Sequence, residues 1–143
     1  MAQAPIKELF PLLFSSDVEA IVDWATAALG LVESWRAPGE DGSLEHAELH
    51  WGTGKVSINV SGRGEHPSGP SSLSLRIDDR AEVDRLHEKA VAAGARITQP
   101  LMESPVAYSF TAVDPDGNEW WVNAETGMLE SLRADSTPEA SSQ

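Results

Sequence analysis

The sequence predicts an α+β fold made of two copies of one strand–helix–hairpin unit. Three landmarks occur twice in the same order: an aspartate before a helix, a glycine after it, and a glycine in the following hairpin turn. The copies are offset by 62, 64 and 63 residues, for the pairs Asp17 and Asp79, Gly30 and Gly94, and Gly54 and Gly117. A repeat of this kind decides the fold before any single element does. Helices that alternate with hairpins favour helices packed on one face of a largely antiparallel sheet.

The first unit opens with a predicted strand that leads into an amphipathic helix. Residues 9–14 are a short apolar run, and apolar side chains then recur with helical spacing over residues 18–29. Ser16 followed by Glu19 is typical of a capping box, and Gly30 is typical of a helix end. We therefore expect a helix that starts after Ser16 and stops at Gly30.

The second unit follows the same order. Apolar and polar residues alternate over residues 72–77, which is the two-residue period of a half-buried strand. Asp79 and Glu82 form a second capping box, and Gly94 marks the end of the second helix. Each unit then closes with a hairpin. The predicted hairpin strands are residues 44–51 and 55–60 in the first unit, and residues 108–113 and 119–123 in the second.

We expect a single domain over residues 1–126, with its two units at residues 6–61 and 70–125. A length of 143 residues suits one domain with one core. A glycine- and proline-rich linker separates the units. Residues 127–143 are acidic and rich in serine, which is typical of a flexible tail.

The composition excludes several classes of function. The formal net charge is −13 without a cluster of lysine or arginine, which argues against nucleic-acid binding. Such a surface either attracts cationic ligands or serves solubility alone. The absence of cysteine excludes disulfides and thiol catalysis. Because no apolar run approaches the roughly 20 residues of a membrane span, and no signal peptide is visible, we expect a cytoplasmic protein without membrane contact.

The repeat, together with the sequence Asp-Pro-Asp-Gly-Asn at residues 114–118, resembles the vicinal oxygen chelate superfamily. This superfamily includes glyoxalase I, extradiol dioxygenases, fosfomycin-resistance enzymes and bleomycin-resistance proteins. The resemblance covers roughly residues 6–125. It implies tandem βαβββ units that form a cupped mixed sheet, with helices on the outer face and the ligand in the cup. It also implies a homodimer, since short members often pair.

The resemblance further implies where a metal would be bound. Metal-dependent members take histidine or carboxylate ligands from the first and last strands of each unit. The first-strand positions fall at Phe10 and Ser72, and the last-strand positions fall at Trp121 and at either Ser57 or Asn59. Phenylalanine and tryptophan offer no donor, and serine and asparagine are poor ligands for zinc, nickel, iron or manganese. We therefore predict no cofactor, with a divalent metal on an unusual ligand set as the alternative.

Three polar residues alternate along the predicted strand 44–51. His46, Glu48 and His50 share one face of this strand, and that face lies either toward solvent or toward the cup. In the cup they would contact the ligand, and a His–Glu pair could accept or donate a proton. Same-face positions along a strand are about 7 Å apart, which makes a single metal shared by all three awkward.

The five tryptophans divide into core and candidate site residues. Trp24, Trp51 and Trp120 occupy predicted core positions. Trp121 with Phe10 could form an aromatic wall for a planar or cationic ligand, and Trp35 is a further candidate contact. In the alternative interpretation, the cup is filled by its own side chains.

These observations favour a protein that binds a small organic molecule and sequesters a drug or metabolite, as bleomycin-resistance proteins do. One alternative is a metal-dependent lyase or dioxygenase with His46, Glu48 and His50 as ligands. Another is a metal-free enzyme that uses His46 or His50 as a base. The candidate ligand contacts are Phe10, Trp35, His46, Glu48, His50, Ser57, Asn59, Ser72 and Trp121.

Overall fold

The computed structural model of the protein describes residues 4–6, 9–52, 56–64 and 70–136, and it confirms the α+β class. The described chain forms two βαβββ units followed by a helix. The first unit contains β1 (Leu12–Ser15), α1 (Val18–Leu29), β2 (Val32–Pro38), β3 (Leu44–Trp51) and β4 (Val56–Gly62). The second contains β5 (Ser72–Arg76), α2 (Arg80–Ala92), β6 (Arg96–Glu103), β7 (Ala107–Val113) and β8 (Glu119–Glu125). Helix α3 (Gly127–Ser136) follows.

Each unit forms one four-stranded mixed sheet. The strand order is β1-β4-β3-β2 in the first sheet and β5-β8-β7-β6 in the second. In both sheets the first strand runs parallel to the last, and the other neighbours are antiparallel. Strand β1 begins at Leu12 rather than at residue 9 as the sequence predicted. The predicted turn residue Gly54 and the linker residues 65–69 lie outside the described part of the chain.

The helices begin and end at residues with clear local causes. The N-cap of α1 is Asp17, whose side chain accepts a hydrogen bond of 3.1 Å from the backbone N–H of Ala20. The prediction of Ser16 as the N-cap is therefore wrong by one residue. Asp79 caps α2 as predicted, by accepting from the N–H of Glu82 at 2.8 Å. Gly30 ends α1 with a φ of 75°, a conformation that favours glycine.

The core lies between the helices and one face of each sheet. Trp120 and Phe110 are fully buried there, and Trp24 and Trp51 pack against this cluster while partly exposed. The rings of Trp24 and Trp120 are 5.6 Å apart, so α1 of the first unit contacts β8 of the second. The two units therefore share one core.

The units are also joined by polar contacts at one end of α1. Ser15 and Ser16 both donate hydroxyl hydrogen bonds to Asp116 in the turn between β7 and β8, and the bond from Ser16 measures 2.9 Å. The side chain of Ser16 is thus used in a contact about 100 residues away instead of in a helix cap.

The segment after β8 starts with helix α3, so the first ten residues of the predicted tail are helical. The flexibility of this tail stays a prediction, and residues 137–143 lie outside the described residues. No helix in the described part of the chain has the length and apolar character needed to cross a membrane.

Candidate ligand-binding site

Each sheet has one face on the core and one face turned away from it, and we call the second kind the cup faces. In β3, Ala47 and Leu49 are buried in the core, which places the polar residues between and beside them on the opposite face. In β4, Ile58 and Val60 are likewise buried. The first cup face therefore carries Trp35, His46, Glu48, His50, Ser57, Asn59 and Ser61.

The second cup face follows from the same alternation in β8. Trp120, Val122 and Ala124 are buried in the core, so Trp121 and Asn123 point to the other side of the sheet. Cross-strand pairing extends this face over β5, β7 and β6. The second cup face carries Ser72, Ser74, Arg76, Gln99, Met102, Ser109, Thr111, Glu119, Trp121, Asn123 and Glu125, among which Arg76 and Glu125 form an ion pair.

The structure brings Glu48 and His50 together and leaves His46 apart. His50 Nε2 lies 3.4 Å from Glu48 Oε1, and the same carboxylate oxygen accepts a hydrogen bond of 2.7 Å from Ser34 Oγ. His46 Nδ1 lies 2.8 Å from Ser61 Oγ. The trio of the sequence analysis is thus a His50–Glu48 pair and a separate His46–Ser61 pair.

Each cup face is crossed by a row of paired residues, and the two rows occupy equivalent positions in the two units. In the first sheet Asn59 pairs with Glu48, and Glu48 pairs with Trp35 on the next strand. In the second sheet Trp121 pairs with Thr111, and Thr111 pairs with Gln99. Leu12 and Ser74 stand 62 residues apart and pair with Asn59 and Trp121, respectively. This register identifies Asn59, rather than Ser57, as the equivalent of Trp121.

Each of these rows contains one buried polar atom without a hydrogen-bond partner. In the described structure the two atoms are Asn59 Oδ1 on the first cup face and Thr111 Oγ1 on the second. Buried polar atoms are nearly always paired, so each unpaired atom indicates either a local cost or a missing partner. One of the two atoms lies on each cup face.

A pocket of about 310 Å³ lies on the second cup face beside Trp121. Its lining combines apolar side chains with amides and hydroxyls, and none of its side chains is charged. The lining residues are Gln99, Met102, Ser104, Val106, Ala107, Ser109, Trp121 and Asn123. The amide of Gln99 donates a hydrogen bond of 2.9 Å to Ser109 Oγ.

Trp121 is the one lining residue that the sequence predicts as a candidate ligand contact, and the other seven, among them Gln99 and Met102 of β6, were not predicted. The pairing of β6 with β7 shifts register between Ile97 and Gln99, and again between Gln99 and Met102. Such irregularities break the two-residue alternation on which face assignment depends. The sequence therefore carries no periodic signal that would place Gln99 and Met102 on one face.

The remaining predicted contacts are spread over both units. Phe10 precedes β1 and is 37% exposed, whereas Ser72 lies on β5 and donates a hydrogen bond of 2.9 Å to Glu119 Oε1. Within the chain, the contacts that join the units run through α1, α2 and the β7–β8 turn, on the core side of the sheets. The candidate residues thus form two groups, one on each cup face.

A wider groove of about 640 Å³ lies away from both cup faces, at the N-terminus of α1. It is lined by Ser15, Ser16 and Asp17 together with parts of β3 and β4. These three side chains already bind the β7–β8 turn or the start of α1. We therefore assign this groove to the junction between the units.

The residues at the metal positions that the resemblance implies do not fit a metal. The register aligns Asn59 with Trp121, and the same offset of 62 residues aligns Phe10 with Ser72. These four residues offer neither imidazole nor carboxylate. Among the described residues, no group of three or more histidine, aspartate or glutamate side chains is arranged to hold an ion. On the first cup face, the two neighbouring side chains of a type that can bind a metal are those of His50 and Glu48.

Two consecutive βαβββ units, each with a polar and aromatic sheet face opposite its helix, define a class of two-unit α+β proteins. The model of the Glyoxalase/Bleomycin resistance protein/Dioxygenase superfamily matches residues 9–122, and the chain belongs to this superfamily. The uncharacterized protein Rv0887c of Mycobacterium tuberculosis is 29% identical over 123 residues, which cover 78% of this chain and 71% of that protein.

Solved structures agree with this fold. TioX from Micromonospora sp. ML1 is 25% identical with a TM-score of 0.69, covering 83% of this chain and all of that one. TnmS3 from Streptomyces sp. CB03234, described as an antibiotic binding protein, is 22% identical with a TM-score of 0.68. That match covers 88% of this chain and 99% of TnmS3.

Proposed function

We propose that the protein binds a small organic molecule on its cup faces and sequesters it, without the metal of the superfamily's enzymes. The observation that carries the proposal is the uncharged pocket beside Trp121, in which an aromatic surface is combined with amide and hydroxyl groups. Ligand sites are typically concave, largely apolar and provided with a few polar groups. TnmS3, an antibiotic binding protein with the same fold, is a precedent for this use of the scaffold.

The chemistry of the pocket favours a planar ligand. A ring stacked on an indole gains about 0.5–1.5 kcal/mol beyond the burial of its area. The amides of Gln99 and Asn123 and the hydroxyl of Ser109 can pair with heteroatoms at the edge of such a ring. We therefore propose an aromatic drug or metabolite as the ligand, and resistance to an antibiotic as one biological role.

The proposal includes a homodimer. The two cup faces lie on different sheets, and in the proposed dimer a face of one copy encloses the ligand together with a face of the other. Exposed apolar side chains at the sheet edges support such a contact: Val32 is 61% exposed, Trp35 48% and Met102 46%. Light scattering after size exclusion should give twice the mass of the 15.4 kDa chain, and the mass of a monomer would contradict the dimer.

We further propose a cytoplasmic location, in accord with the lack of cysteine.

Quenching of tryptophan fluorescence tests the binding function. We expect a panel of planar compounds, among them acridine and 9-aminoacridine, to quench or shift the emission of the purified protein at micromolar concentrations. Trp121→Ala should weaken binding, whereas Val91→Ala on the exposed side of α2 should leave it unchanged. The absence of any spectral change up to high micromolar ligand would contradict the proposal.

Metal analysis tests the other half of the proposal. Untagged protein purified without chelators should carry far less than one Ni, Fe, Mn or Zn per chain. A stoichiometric metal would overturn the metal-free assignment and would favour a lyase or dioxygenase with an unusual ligand set.

The His50–Glu48 pair supports a second candidate, a metal-free enzyme with an acid–base pair. A separation of 3.4 Å between His50 Nε2 and Glu48 Oε1 lets the carboxylate orient the imidazole. Conversion of a bound compound, followed by mass spectrometry and lost in His50→Gln but retained in His46→Gln, would establish this candidate over simple binding.

A further inference from the structure

We propose that the first cup face holds the cationic, N–H-donating end of the ligand, between Glu48, Asn59 and Trp35. This inference rests on the proposed binding function and deepens it by assigning a subsite and its chemistry. The three residues are neighbours in one row across β4, β3 and β2. Directly opposed residues on neighbouring strands have Cβ atoms about 4.5–5.5 Å apart. A ligand group at Glu48 therefore has Asn59 on one side and Trp35 on the other.

The subsite presents a carboxylate and an amide oxygen as hydrogen-bond acceptors, and the Ser34 hydroxyl donates to the carboxylate at 2.7 Å. Glu48 is only 21% exposed in its side chain, and among the described residues its ion-pairing partner is His50 rather than a lysine or arginine. Asn59 Oδ1 is buried and has no partner. A half-buried carboxylate beside an unpaired amide oxygen is complementary to a group that carries both positive charge and N–H donors.

Trp35 completes the subsite with an aromatic surface. Its side chain is 48% exposed although it lies directly opposite Glu48 on the neighbouring strand. A cation placed at the carboxylate therefore lies within reach of the indole, and tryptophan is the aromatic residue that attracts cations most strongly. The negative charge of the Glu48 carboxylate disfavours an anionic ligand group at the same place.

The other cup face differs in this respect. The equivalent row there contains Trp121, Thr111 and Gln99, and no lining residue of the adjoining pocket is charged. The ligand is therefore divided between the uncharged pocket beside Trp121, which takes its neutral planar part, and Glu48, which takes its cationic part. Protonated amino-substituted aromatic compounds and aromatic amidines combine a planar ring with a cationic group that donates N–H hydrogen bonds.

A matched pair of probes tests the subsite. Acridine and 9-aminoacridine have the same ring system, and at neutral pH the first is neutral whereas the second is a cation with N–H donors at both edges. We expect the wild-type protein to bind 9-aminoacridine about tenfold or more tightly than acridine, a ratio typical of one hydrogen bond to a charged group. Glu48→Gln should remove this preference and leave acridine binding unchanged.

The control is Glu88→Gln, which removes one negative charge from the exposed side of α2 and so separates the subsite from the general acidic field. The preference for the cation should persist in this variant. Asn59→Leu, which keeps the charge of Glu48, should weaken 9-aminoacridine selectively and provides the answer if Glu48→Gln folds poorly.

The outcomes distinguish the two proposals. Equal affinity of the wild type for both probes, or a cation preference that survives in Glu48→Gln and Asn59→Leu, would overturn the subsite and leave the binding function in place. Failure of both probes to bind the wild type would overturn the binding function and the subsite together.

Discussion

The indole Nε1 of Trp120 donates a hydrogen bond of 2.9 Å to Oδ2 of Asp114, which joins the largest core side chain to the turn between β7 and β8. Asp114 is 4% exposed and also accepts from the backbone N–H groups of Asp116 and Asn118 and from the Asn118 amide. One carboxylate thus provides acceptors for four donors. The Asp-Pro-Asp-Gly-Asn sequence therefore stabilises the fold by anchoring this turn to the core.

Asp114→Ala should therefore destabilise the protein strongly. The substitution leaves several buried donors without an acceptor, at about 1–3 kcal/mol each. We expect the free energy of unfolding to fall by about 3 kcal/mol or more, measured by urea denaturation. Asp23→Ala on the exposed side of α1 should change it by less than about 0.5 kcal/mol. A small effect of Asp114→Ala would contradict the structural role of this turn.

The contact between Asp116 and the two serines gives a second prediction. Because Asp116 accepts from both Ser15 and Ser16 across the two units, Asp116→Ala should lower the free energy of unfolding by about 1–2 kcal/mol. Ser15→Ala should cost a similar amount, since its hydroxyl is buried and also accepts from the N–H of Asp17. The double variant should lose less than the sum of the two, and strict additivity would show that the residues do not interact.

Tyr108 offers a spectroscopic test, because it is the only tyrosine of the chain. Its hydroxyl donates a hydrogen bond to Asp84, and this bond, with burial and the negative charge of Asp84, raises the pKa of Tyr108 above its usual value near 10. Arg80, whose guanidinium lies 4.1 Å from the ring centroid, opposes this shift.

Titration of the absorbance at 295 nm should thus give a midpoint above 10, and Asp84→Asn should lower that midpoint. Since the pKa is raised in the folded state, the associated stability is present below the unfolded pKa of about 10 and is lost as pH rises through the folded pKa. A wild-type midpoint at or below 10 would contradict the contact.

Much of the fold was predictable because its signals are local. Two-residue alternation placed His46, Glu48 and His50 on one face, and the repeat aligned the two units. The sequence did not show whether these three side chains face the core or lie on the opposite side of the sheet. The burial of Ala47 and Leu49 against α1 places these three on the opposite side. The role of Ser16 was not predictable, because the partner that removes it from the helix cap, Asp116, lies 100 residues away. The β6 part of the pocket was hidden by its register shifts.

The two histidines of β3 should differ in their effect on ligand binding. His50 contacts Glu48, whereas His46 contacts Ser61 at the other end of the strand. We expect both His46→Ala and His50→Ala to weaken binding of 9-aminoacridine. The loss should be larger for His50→Ala, because His50 lies 3.4 Å from the Glu48 carboxylate of the proposed subsite. Isothermal titration of both variants measures the difference, and thermal unfolding checks that both remain folded. Unchanged affinity in both variants would place these side chains outside the ligand contact, and a larger loss in His46→Ala would locate the ligand nearer to Ser61.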